Sequence, residues 1–345
     1  MSPSETLRVV LSGGSATGIP WLRERLRNIE LIPVPDGDAL ALRTALRDAH
    51  AVVCANLTAR DTAEAGCLLL VHVLGAGWDG IAEDALPPGC TLCNVFEHET
   101  AISEWILMSM LSLTRRLLVY DREIRRGVWH EAVSFSGIPE RDLRGRTVGM
   151  IGLGHIGSRT AELARAMGMR TIAITRTPSR ERAAKHGIDW LAGMADLHRL
   201  LTESDFAVVC IPLTPETEGL IGPVELRLLG PQGYLVNVAR GPIVRERPFY
   251  EALRDGTIKG AAIDVWYRYP SRVGETVLPA SCPFWELDNV IMTPHSAGWS
   301  DSTLDGRWRF IAEQLARLTE GRALQNVVRQ VAREDSTSSS GSASR

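Results

Sequence analysis

Thr147-Val-Gly-Met-Ile-Gly-Leu-Gly-His-Ile-Gly157, running on into Ser158-Arg-Thr-Ala-Glu-Leu-Ala-Arg-Ala-Met167, is the stretch on which the fold turns. Its first residues are an apolar run of strand type, and its last ten carry apolar residues at helical spacing. Gly152, Gly154 and Gly157 therefore fall in a strand-to-helix connection. In that setting each glycine has a mechanical reason. Gly152 allows the tight turn, Gly154 lets the backbone approach a pyrophosphate, and Gly157 lets the helix pack on the strand. The first helical amides, at His155 and Ile156, then face the phosphates of a dinucleotide.

Working outward, strand-like runs alternate with helical stretches on both sides of this loop. Those at 7–12, 31–34, 51–54, 68–74 and 91–95 form one set, and those at 147–154, 170–175, 206–212, 233–239, 260–266 and 289–294 form a second. The alternation predicts an α/β protein with parallel sheets, the second set being a six-stranded dinucleotide fold. Between the sets a helix is expected over roughly 99–126, apolar on so many sides around Trp105–Leu113 that burial against a partner subunit is expected, a helix sandwiched between the two domains of one chain being the alternative. A further helix is expected over 304–319, and the Ser/Gly-rich end, 331–345, is expected to be a disordered tail.

Bulk properties narrow the functions. The 345 residues exceed one hydrophobic core, so two domains are expected. With 38 Lys+Arg against 41 Asp+Glu, the net charge of −3 leaves no basic excess for a nucleic-acid partner. There is no apolar run long enough for a membrane span and no recognisable leader, so no membrane partner and a cytoplasmic location are expected. The pair Cys90-x-x-Cys93 lies in a strand-like run without the further ligands zinc needs, which reads as buried free thiols and no metal.

About twenty residues past the glycine loop, a site built for NAD(H) carries an acid to bind the ribose 2′-hydroxyl. Here the position reads Ile174-Thr175-Arg176-Thr177, with Arg180 and Arg182 following. Hydroxyls and a guanidinium suit a 2′-phosphate, so NADP(H) is expected to be preferred over NAD(H).

LGAGWD at 74–79, GMIGLGHIGSRTAELARAMGM at 149–169, PLTPETEGLIG at 212–222, LVNVARGPIV at 235–244, AAIDVW at 261–266 and MTPHSAGW at 292–299 together resemble the D-isomer-specific 2-hydroxyacid dehydrogenases. The resemblance spans nearly the whole chain. It implies a Rossmann dinucleotide-binding domain, 100–295, inserted in a split flavodoxin-like substrate domain of 1–99 and 296–330, a homodimer, and an active site in the cleft. The activity it implies is reduction of a small 2-oxo acid to the D-2-hydroxy acid.

By the same resemblance Arg240 anchors the substrate carboxylate and polarises the carbonyl, for which a forked, permanently charged guanidinium is suited. His295 is the acid/base on the oxygen. The backbone amides of Ala76 and Gly77 are expected to hold the carboxylate, with His98 and His72 candidates to line the cleft. Pro212, Thr217, Val238, Ala239, Asp264 and Gly298 lie in the matched motifs on the cofactor side. For Asp264, a bond to the carboxamide and packing support for its loop are both open readings.

The pattern departs from the family at Tyr269, where a glutamate that pairs with the histidine is usual. A phenol orients the imidazole without the charge stabilisation of a carboxylate, so reduction is expected to fade at lower pH than in glutamate-bearing relatives. Glu275 in the same loop is an alternative source of the carboxylate. Two other functions stay open: oxidation of formate or a comparable small anion, and a non-catalytic, corepressor-like dinucleotide sensor.

Overall fold

The computed structural model describes residues 6–129, 141–270 and 274–332. Two compact units are present among them. One runs to Glu97, takes in Gly274 and Glu275 and resumes at Asp301; the other spans His98–Pro270 and Thr276–Ser300.

In the first unit, β1 (Leu7–Ser12), β2 (Ile29–Val34), β3 (Ala51–Val53), β4 (Leu70–His72) and β5 (Thr91–Cys93) pair in parallel. All three residues of β3, β4 and β5 are buried, as expected of strands covered on both faces. The helix Asp301–Thr319 lays Trp308, Ile311 and Leu315 on one face of this sheet. It starts three residues before the expected Leu304.

The second unit holds β6 (Thr147–Ile151), β7 (Arg170–Ile174), β8 (Trp190–Ala192), β9 (Phe206–Val209), β10 (Tyr234–Asn237), β11 (Gly260–Ile263) and β12 (Val290–Met292). Their order is β12-β11-β10-β9-β6-β7-β8, all parallel. The sheet thus has seven strands where six were expected. The missed strand, β8, is a half-buried edge of three residues, too short to carry a periodic signal.

The sequence reading also missed the sixth strand of the first sheet, β13 (Val327–Gln330), which pairs antiparallel with β5. Val331 continues that pairing, exchanging backbone bonds with Gly89 and Cys90. The expected tail therefore cannot begin at 331; its remainder from 333 lies outside the described residues.

The expected helix 99–126 is two helices, Glu99–Thr114 and Leu117–Ile124, broken where Arg116 takes a left-handed φ of 49°. Ser103 of the first binds the carbonyl of Ile156 and the hydroxyl of Thr160, joining this helix to the one after the glycine loop. Among the described residues no helix is long and apolar enough to cross a membrane.

Candidate active site

The glycine loop leaves β6, whose five residues are all buried. Gly152 has φ 109°, and a Cβ there would lie 2.7 Å from the Cys210 carbonyl oxygen. At Gly157 a Cβ would stand 2.3 Å from the Gly152 carbonyl oxygen, so only glycine lets the helix His155–Ala166 begin this close to the strand. Gly154 is different: a Cβ there would meet nothing within 4 Å. Among the described residues that position is open space, which is what a pyrophosphate approaching the helix amides requires. Beneath the loop the Cys210 thiol donates to the Gly152 carbonyl at 3.1 Å, and burial pushes that thiol up to about 12. The residues present fit a dinucleotide.

At the end of β7, Thr175 is buried, with its N–H on the Ala192 carbonyl of β8, whereas Arg176 and Thr177 are exposed. His155 is exposed at the helix start, and Ile156 is half-buried. Beyond β9, the Thr217 hydroxyl accepts the Thr214 N–H and donates to the Pro212 carbonyl, both at 2.8 Å. That hydroxyl shapes the Pro212–Thr217 turn.

Arg240, Asp264 and His295 stem from the C-terminal ends of three adjacent strands, β10, β11 and β12, where Asn237 pairs with Ile263 and Ile263 with Met292. In open α/β sheets that end of the strands is where ligands bind. Val238 and Ala239 are buried, so their backbone is what they can offer a ligand. Asn237, 1 % exposed, accepts the Ala239 N–H at 3.1 Å and donates to the Arg240 carbonyl at 3.1 Å. The Arg240 guanidinium donates to the Ala239 carbonyl at 2.8 Å. Asn237 thus fixes the backbone that aims Arg240. Sequence reasoning did not single it out, although an Asn bonding the backbone two residues ahead is a familiar turn signal.

Asp264 is 2 % exposed and turns to the segment around His295. One carboxylate oxygen accepts the Thr293 hydroxyl at 2.5 Å and the Ser296 N–H at 2.8 Å; the other accepts the Ala297 N–H at 3.0 Å. The Trp266 indole donates to the Thr293 carbonyl at 2.8 Å. His295 sits exposed between these fixed points with φ 58°, a left-handed conformation that the flanking bonds impose. Of the two roles open for Asp264, the structure displays the loop support. The same bonds keep residues 296–300 with the second unit.

The Tyr269 ring packs against the His295 ring, centroids 5.6 Å apart and tilted by 54°. Its hydroxyl accepts the Trp266 N–H at 3.0 Å. The phenol therefore curls back on its own loop and offers the imidazole an aromatic surface. Glu275 is grouped with the first unit, and residues 271–273 lie outside the described ones. Tyr267 is turned inward: its hydroxyl donates to the Val244 carbonyl at 2.7 Å, and burial, with Glu246 nearby, raises the phenol well above its usual range.

His98 is buried immediately before the helix Glu99–Thr114, and Gly298 packs against it, a Cβ on Gly298 being 3.4 Å from that of His98. These two candidates, distant in sequence, come together. Ala76 and Gly77 follow β4 in the first unit, with the Ala76 carbonyl held by Asn94 at 2.9 Å. His72, a candidate cleft residue, is instead fully buried within β4. Cys90 and Cys93 are buried thiols, each pushed up to about 12 chiefly by burial.

The chain is similar to several known proteins. The NAD binding domain profile of the D-isomer specific 2-hydroxyacid dehydrogenases matches residues 107–297. A glyoxylate reductase of Korarchaeum cryptofilum is 31% identical over 267 residues, 76% of this chain and 76% of that protein. A D-3-phosphoglycerate dehydrogenase of Methanocaldococcus jannaschii is 32% identical over 298 residues, 86% of this chain; the match spans about half, 52%, of that longer protein. A solved D-isomer specific 2-hydroxyacid dehydrogenase family protein of Aeromonas salmonicida shares the fold, with TM-score 0.77 and 24% identity over 94% of this chain and 99% of that one. The chain belongs to the D-isomer specific 2-hydroxyacid dehydrogenase family.

Proposed function

We propose that this chain reduces a small 2-oxo acid to the D-2-hydroxy acid with NAD(P)H, NADP(H) being preferred. The observation that carries the reading is the convergence of Arg240 and the Tyr269–His295 pair at the ends of adjacent strands in the sheet that bears the glycine loop. When bound, the nicotinamide supplies the hydride. Arg240 binds the substrate carboxylate and polarises the carbonyl, His295 protonates the oxygen, and Tyr269 orients the imidazole through its ring. The amides of Ala76 and Gly77 are further candidates for the substrate carboxylate, and His98 is a candidate for the substrate side. A glyoxylate-like acid fits the name of the glyoxylate reductase relative. The missing acid at Thr175–Thr177 supports the choice of NADP(H).

The same proposal includes a cytoplasmic homodimer. Met108, Leu111, Leu117, Leu118 and Ile124 are exposed on the two consecutive helices after His98, an apolar surface of the kind a second copy covers. Six free cysteines fit a reducing compartment.

Replacing Arg240 or His295 by Ala tests the roles. Turnover of a 2-oxo acid is expected to fall at least about a hundredfold in each, with NADPH affinity unchanged. Wild-type rates in either variant contradict the assignment.

A further inference from the structure

Cys210 follows the last residue of β9 and lies beneath the glycine loop. Its backbone N–H continues the pairing of β9 with β6 by donating to the Ile151 carbonyl at 3.0 Å. Its thiol turns into the loop: it donates to the Gly152 carbonyl at 3.1 Å and lies 3.4 Å from the Ile151 carbonyl. From the other side, the Gly152 N–H donates to the Ile174 carbonyl of β7 at 3.0 Å. The first glycine of the loop is therefore pinned from both neighbouring strands, by a backbone bond on the β7 side and by a side-chain bond on the β9 side.

The side-chain bond has a directional consequence. A trans peptide points its C=O and its N–H in opposite directions. With the Gly152 carbonyl turned onto the thiol, the N–H of Leu153 is turned the other way. Gly152, at φ 109°, has no Cβ to oppose rotation of the peptide that follows it, so the local backbone does not choose between the two orientations. In the turned-over orientation a carbonyl oxygen replaces that N–H on the face of the loop away from Cys210, and an oxygen there repels a phosphate where an N–H attracts it. The thiol also fits by size. A Cβ at Gly157 would stand 3.2 Å from the sulfur, so the sulfur packs against the start of the helix His155–Ala166 where that glycine leaves room. Burial pushes the thiol up to about 12, so it keeps its proton, and with it the donor, throughout the neutral range.

We propose that Cys210 is a positioning residue for the dinucleotide: its thiol selects the orientation of the Gly152–Leu153 peptide that presents an N–H, rather than a carbonyl oxygen, to the pyrophosphate. Cys210 acts through the loop and need not touch the cofactor. If the sulfur mattered only as bulk, a smaller hydroxyl and a methyl group in its place would behave alike.

The test is fluorescence titration of the full chain with NADH and with NADPH, for wild type, Cys210→Ala, Cys210→Ser and Cys93→Ala, with thermal melting of each in the absence of cofactor. Cys93 is a fully buried thiol of β5 in the first unit and is the control for lost thiol packing. Cys210→Ala is expected to weaken both dinucleotides by about tenfold. Cys210→Ser, which keeps a donor, is expected to stay within about threefold of wild type, and Cys93→Ala to melt lower with both affinities unchanged. Wild-type affinity in Cys210→Ala, equal losses in Cys210→Ala and Cys210→Ser, or a loss as large in Cys93→Ala overturns the proposal. Should Cys210→Ala fail to fold, the wild-type chain decides. Iodoacetamide labelling of Cys210, read by mass spectrometry with exposed Cys67 as the internal reference, is expected to slow at least about tenfold when NADH is bound, because the dinucleotide holds down the loop that must lift to free the thiol. An unchanged labelling rate overturns the proposal as well.

Discussion

At the residue scale the candidate site is a set of side chains held by other side chains. His295 and Arg240 are the candidates for the chemistry, while Asp264 and Asn237 hold the backbone that presents them. The family resemblance named the first pair as candidates, an arginine and a histidine at strand ends carrying their own chemical meaning. It left the role of Asp264 open, because its three donors come from residues about thirty positions away. The two roles are separable by experiment. Asp264→Asn replaces one acceptor oxygen by a donor group facing an N–H, and is expected to cost about 1–3 kcal/mol of stability. Turnover should fall while the Kd for NADPH stays within about threefold. A large rise in that Kd with kcat preserved would assign Asp264 to the cofactor instead.

Among the elements, the strand-loop-helix around Gly152–Gly157 was the most legible, since the apolar strand, the glycines and the helical spacing each point the same way. Elements with weak patterning were not. β8 and β13 are short edge strands, and the break at Arg116 depends on a left-handed turn that no glycine announces. The glycine loop gives a sharp contrast between two identical substitutions. Gly157→Ala puts a Cβ 2.3 Å from the Gly152 carbonyl oxygen, so both thermal stability and cofactor binding should drop. Gly154→Ala meets no protein atom, so melting should be unchanged to within about 1 kcal/mol while NADPH affinity falls at least about tenfold. Calorimetry with and without NADPH checks both, and equal behaviour of the two variants would refute this division of labour.

For the molecule as a whole, chain length and two sets of strands led to an expectation of two domains, but the behaviour of buried polar groups could not be read from the sequence. His72 in β4 is the case with a consequence for the whole fold. Its Nδ1 faces the Val73 carbonyl at 2.8 Å and so carries the proton, leaving a bare Nε2 with no partner beside Phe310. Burial lowers its pKa from 6.5 to about 4. The unfolded chain binds this proton first, so the stability that neutral His72 permits is complete above about pH 6.5 and is lost as pH falls toward 4. The full effect is about 3 kcal/mol. Urea unfolding at pH 7 and pH 4.5 should show wild type losing about 2–3 kcal/mol more than His72→Phe. Equal losses in the two proteins would mean that the histidine is not held neutral.

Hydride transfer to a 2-oxo acid is tested most directly by following reduced-nicotinamide absorbance with the purified chain. NADPH and NADH are each mixed with a panel of 2-oxo acids, and the oxidised cofactors with formate. Oxidation of NADPH by at least one small 2-oxo acid is expected, with slower oxidation of NADH at equal concentration and no reduction of NADP⁺ or NAD⁺ by formate. Tight dinucleotide binding with no turnover on any acid would contradict it and leave a sensor; turnover on formate alone would leave a different enzyme.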